Sequence, residues 1–151
     1  MKVLVEAIRF TWALPTSAVG YLLGFLGLLT GGKVERRGLV LEFYGGFVKW
    51  FMNRFPNKNI LAMTLGYVIV GKAPEGLEAA RDHEMVHVAQ NGLWGPLFLP
   101  AYGAASVVAF CRGKNPYRDN MFEVDAYSKA PIKRIRREPK RQDPLDISDV
   151  A

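Results

Sequence analysis

The chain contains two histidines, and they stand four residues apart with a glutamate directly after the first: His83-Glu84-Met85-Val86-His87. On a helix, positions i and i+4 share one face about a turn apart, so both imidazoles can reach a single metal ion at roughly 2.0–2.1 Å. Glu84 is turned about 100° round the helix from His83, which sets it beside the ion instead of on it. That is the place for a general base or acid that exchanges a proton with a water polarised by a metal. HExxH is short enough to arise by chance, and its bland reading is a surface helix whose histidines bind nothing. Finding both histidines of the chain at this spacing favours the metal.

A catalytic zinc keeps three protein ligands and leaves a fourth position open, so a third ligand is required. The pattern that continues HExxH with a glycine and a third histidine is excluded, because Gln90 and Leu93 occupy those places. Cys111 is the single cysteine, lies in an apolar stretch, and permits neither an internal disulfide nor a CxxC site. A carboxylate is left, and the downstream candidates are Asp119, Glu123 and Asp125. If their segment is helical, Asp119, Asn120, Glu123, Ala126 and Tyr127 share a face. Asp125 then points elsewhere and can hold a histidine N–H from outside the ligand set.

His83 to Tyr127 resembles the zinc core of gluzincin metallopeptidases: an HExxH helix, a hydrophobic stretch, then a glutamate in an Asn- and Ala-containing helix, here Asn120-Met-Phe-Glu123-Val-Asp-Ala126-Tyr127. The membrane-embedded CAAX-prenyl and heat-shock protease group likewise combines apolar segments with this motif. The wording HEMVHVAQNGLWGPLFLPAY and NPYRDNMFEVDAY is similar to a small family of bacterial proteins. The resemblance implies Zn2+ as cofactor, held by His83, His87 and Glu123, with Glu84 as base and acid and a peptide or protein as substrate. Tyr102, Tyr117 and Tyr127 are candidates for the hydroxyl that steadies a tetrahedral oxyanion, and Tyr127 is favoured by its i+4 spacing from Glu123. Gln90, one turn past His87, either bonds within the site or caps the helix end. The chain is much shorter than the characterised members. The alternative is therefore a non-catalytic membrane or interaction protein that keeps a structural zinc site.

These residues need two helices. KAPEGLEAARDHEMVHVAQNG is expected to carry the motif, with Pro74 near its start, Glu75 and Glu78 in its first turns and Gly92 as its stop. Residues 97–111 predict a second, apolar helix, and a third begins near Asp119 or Asn120 and runs to Tyr127. Gly38–Tyr44 and Ile60–Val70 read as strands; between them GGFVKWFMNRF has helical spacing and PNKN a turn. The expected fold is α+β: a zincin-like domain over 34–128 whose HExxH and Glu helices accompany a two- or three-stranded sheet. Ile60–Val70 is the natural edge strand for a substrate backbone.

Residues 1–33 form a separate expectation, a hydrophobic helix. Its stretch 10–32 carries no charge, is long enough to cross a bilayer, and has a small-residue face at Gly20, Gly24 and Gly27. Pro15 suits a first helical turn. A membrane anchor and a buried core helix are the competing readings; Glu6 argues against a cleaved signal peptide. With Lys33, Arg36 and Arg37 behind it, a spanning helix would leave the rest in the cytoplasm; a soluble cytoplasmic protein is the alternative. Residues 88–111 are uncharged too, yet a crossing there would part His87 from Glu123 by some 30 Å, so that segment must turn back or stay buried. Half of the net charge of +6 sits in 129–151, a basic tail with three prolines expected to be disordered. No basic patch interleaved with aromatics accompanies it, so no specific nucleic-acid partner is expected.

Overall fold

In the computed structural model, which describes residues 1–55 and 57–135, the uncharged N-terminal run is not one rod. Helix α1 (Lys2–Trp12) ends at Ala13, and α2 (Leu14–Leu29) leaves it bent by 66°. Pro15 explains the break: it has no N–H for the carbonyl of Thr11, and its ring disfavours helical geometry in the residue before it. Pro15 then sits in the first turn of α2, as expected. The glycine face of α2 serves the chain's own sheet, where the sequence suggested a second membrane helix. A Cβ on Gly24 would fall 2.5 Å from the ring of Phe43.

That sheet has four strands, β1 (Lys33–Arg37), β2 (Val40–Tyr44), β3 (Ala62–Leu65) and β4 (Val68–Gly71), in the order β1-β2-β4-β3. One strand more than expected is present, because β1 (KVERR) is an exposed edge without the apolar alternation that betrays a strand. Ile60–Val70, read as one strand, folds into the hairpin β3–β4, which turns at Gly66 with φ +65°. β2 and β4 run parallel, linked through α3 (Gly46–Met52) and the hairpin. Alternation then divides the core. Phe43, Val68 and Val70 face α2 and α3, while Val40, Ala62 and Ile69 face the motif helix on the other side.

The motif helix α4 (Pro74–Trp94) crosses that second face. Gly92 does not end it: the glycine lies buried beside Tyr67 and Arg9, and the stop comes at Gly95, with φ +55°. A 3-10 turn (Gly95–Leu97) leads into α5 (Phe98–Cys111), and α6 (Met121–Lys129) follows. By length and composition the helical stretch Pro74–Cys111 is long and apolar enough to cross a membrane, as is the bent pair α1–α2. The stretch is nevertheless not straight. The rings of His87 and Tyr102 are 6.4 Å apart, whereas a straight helix would separate those residues by about 22 Å. The chain turns back at Gly95-Pro96, so α5 returns toward the motif. Beyond α6, Ile132 packs on the core and the Lys133 N–H bonds to Ala79, so the first residues of the basic segment belong to the fold; 136–151 lie outside the described residues.

One buried ion pair ties α4 to the sheet. Arg81 reaches Glu42 with both Nε and a terminal nitrogen, at 2.8 and 3.0 Å, and Glu42 is fully buried. Truncating the arginine strands a carboxylate in the core. Arg81→Met is expected to cost about 3 kcal/mol, the low end of the usual range because water partly reaches Arg81. The double variant Glu42→Leu with Arg81→Met should recover most of it. Urea unfolding of the three proteins checks both values.

Candidate metal centre

His83 and His87 project from the middle of α4, and Glu123 from the first turn of α6 meets them. His83 Nε2 lies 3.2 Å from Glu123 Oε2, and His87 Nε2 lies 3.3 Å from Glu123 Oε1. One ligand atom from each falls within 4.8 Å of the others, and all three side chains are buried. Together they form a group that can hold a metal ion.

The surrounding hydrogen bonds fix which atoms face that point. Gln90 Nε2 donates to the Phe122 carbonyl at 3.1 Å and to Asp125 Oδ2 at 3.0 Å. Its amide is thereby oriented, and Oε1 lies 2.8 Å from His87 Nδ1. An amide oxygen only accepts, so the His87 proton sits on Nδ1 and the Nε2 lone pair faces inward. The Ala130 carbonyl does the same for His83, at 3.1 Å from Nδ1. Two imidazole lone pairs and a carboxylate then converge, an arrangement that needs positive charge between them. Burial alone would raise the Glu123 carboxyl, but with no ion there an imidazole Nε2 proton supplies the positive charge and, with Tyr102, holds it at about 2, so it is ionised. Tyr102 donates to Glu123 Oε1 at 2.7 Å. Once that imidazole proton leaves, donors oriented in this way suit a divalent cation.

Glu84 stands beside this cluster, buried, on the side of β3. Thr64 Oγ1 is 2.7 Å from Glu84 Oε2 and 3.1 Å from the Glu84 carbonyl. The hydroxyl donates to the carboxylate at the shorter distance, and the Glu84 carbonyl is a second, longer acceptor for it. Burial pushes the Glu84 carboxyl up, against the pull of the two histidines and of the Thr64 hydroxyl. Two clefts adjoin it. One, of about 490 Å³, is lined by Glu84, Ile60, Ala62, Asn115, Tyr117 and Tyr127. The other, of about 250 Å³, contains Thr64, Glu84, His87 and Glu123 among apolar walls that include Met63 and Phe98.

The structure therefore brings together His83, Glu84, His87 and Glu123. Tyr127 is close, its ring 4.4 Å from that of His83, and it opens on the larger cleft with Tyr117. Asp125 touches no histidine; it acts one step removed, through Gln90, and also pairs with Lys129 at 2.8 Å. Asp119 is turned away and accepts from the Asn115 N–H. Of the two readings of Gln90, the bond within the site holds. Sequence reasoning missed Thr64, which has no local signal, and read Asn120 as a helix start without its bonds to α5. Asn120 caps α6 through the Phe122 N–H and binds the Tyr102 carbonyl and Ser106 on α5. Its place just before a helical pattern was the available clue.

Comparison with protein-family models, curated proteins and solved structures gives no match to this chain.

The hydrogen-bond chain to His87 predicts graded metal affinity. Purified protein should carry about one ion per chain, and His87→Ala or Glu123→Ala should lose most of it. Gln90→Met, which leaves His87 Nδ1 unheld, should weaken binding by about 10- to 100-fold, and Asp125→Ala by less. Elemental analysis and competition with a chromophoric chelator measure both; unchanged metal content in Glu123→Ala would remove it from the ligand set.

Proposed function

We propose that this protein is a small zinc-dependent metallopeptidase of the gluzincin kind. The observation that carries the reading is the position of Glu84, buried at the edge of a His83–His87–Glu123 cluster and shared by both clefts. A site that only clasped the fold would have no use for a carboxyl there, which weighs against the structural-zinc alternative. Two imidazoles and one carboxylate suit zinc. When bound, the ion supplies Lewis-acid polarisation of a carbonyl and lowers the pKa of water.

The chain's own residues then divide the work. Glu84 takes the proton from an attacking water and returns it to the leaving amine, with Thr64 holding the carboxyl in place. Tyr127 and Tyr117 share the larger cleft with Glu84 and offer hydroxyls for charge that develops on the carbonyl oxygen. The Tyr102 hydroxyl is already given to Glu123. β3 is an edge strand, and Ala62 and Thr64 open on the clefts, so an extended peptide can add to it as a further strand.

Glu84→Gln keeps size and burial and removes the base. Metal content should stay at the wild-type level while peptide hydrolysis falls by at least about a hundredfold. A quenched-fluorescence peptide library, read with and without chelator, supplies the assay. Equal cleavage by the variant and the wild type would mean that the activity comes from another mechanism.

A further inference from the structure

The two helical corners of this fold meet. The bend between α1 and α2 at Ala13 lies against the bend between α4 and α5 at Gly95: the Trp12 indole covers Gly95, where a Cβ would fall 2.4 Å from its ring nitrogen, and Thr16 Oγ1 donates to the Gly95 carbonyl at 3.3 Å. Around this junction Trp12, Leu14, Leu93, Trp94 and Leu97 are each 40–63% exposed. None of the residues from Phe10 to Gly32 or from Val88 to Cys111 is charged, so the corner is apolar on both chains of approach.

We infer that this corner inserts into one leaflet of an anionic lipid bilayer, so that the protein sits on the membrane without crossing it. Burial in a second copy is the poorer fit: five half-exposed side chains offer roughly 500 Å², against about 800 Å² per partner in a stable interface. Two half-exposed tryptophans at an apolar corner are what a headgroup boundary selects. Depth is limited by charge. The exposed Asp125–Lys129 pair is tied to Gln90, which stands five residues before Gly95, about 7.5 Å along the helix. Arg9 lies beside Gly92. Both set a limit of about 5–10 Å, the depth of an interfacial element. Arg9 is the cation beside the corner and can meet an anionic headgroup, whereas Arg112, Lys114 and Asp119 stand exposed at the other end of α5, about 20 Å along that helix. Crossing is opposed by α2 itself, whose glycine face is pressed along the sheet. The inference uses no metal chemistry, and chelated protein should bind equally.

The test is co-sedimentation of the full chain with phosphatidylcholine vesicles containing about 30% phosphatidylglycerol. Wild type should pellet, and Leu93→Asn with Leu97→Asn, both outward-facing and away from the core, should bind about tenfold more weakly with an unchanged melting curve. Phe25→Asn, on the outer face of α2 away from the corner, should bind as wild type. In a Trp50→Phe background, the remaining tryptophans should be quenched more by lipids brominated near the headgroup than near the bilayer centre. The inference fails if wild type does not bind, or if the double variant binds as well. It also fails if Phe25→Asn is equally damaging, which would place the α2 flank in lipid. A wild-type dimer that the double variant abolishes would show the corner to be a self-interface and overturn it as well.

Discussion

At Gly95 the backbone takes φ +55°, and the Trp12 indole occupies the space where a side chain would begin. A residue with a Cβ cannot be placed there without moving Trp12, and α4 cannot continue through it. The reversal brings α5 back beside the motif, which puts Tyr102 against Glu123 and lets Asn120 fasten α6 to α5. The ligand that completes the metal centre therefore depends on a turn located eight residues past His87. The N-terminal helices, far away in sequence, lock that turn. They are part of the site's foundation, whatever else they touch.

From the turn the ordering passes through hydrogen bonds of unequal worth. The Lys129–Asp125 pair is exposed, and alone it adds little to the stability of the fold. Its value lies in direction. Asp125 holds one face of the Gln90 amide, the Phe122 carbonyl holds it too, and the amide oxygen then dictates the tautomer of His87. An interaction negligible for stability thus helps decide which nitrogen is free to bind a cation.

The legible parts of this architecture are those with local periodicity. His83 and His87 announce their helix by spacing, and α3, α5 and α6 follow from apolar repeats and an asparagine boundary. Glu123 emerged by choice among three carboxylates, and the geometry selects it. What could not be read depends on contacts between distant segments. Thr64 reaches Glu84 only because β3 pairs with β4 and α4 crosses that face. β1 was hidden by its charged edge position, and the bend at Ala13 by a run of uniformly apolar residues. Uniform hydropathy carries no period, so a proline was its single mark of direction.

Burying Glu84, Glu123 and two histidines is an unusual expense for a core built from one small sheet and the helices on it. Carboxylates in such surroundings destabilise a fold unless charge and hydrogen bonds compensate them. Thr64, Tyr102, Gln90 and the Ala130 carbonyl compensate part. A cation would compensate much of the rest, since the unfolded chain has no site in which α4 and α6 ligands meet, and binding energy then becomes folding energy. At a thousandfold excess over its dissociation constant, an ion adds about 4 kcal/mol, against a total stability of about 5–15 kcal/mol for an ordinary domain. The same four side chains that equip the site for chemistry therefore make the packing of α6 on α4 depend on what they hold.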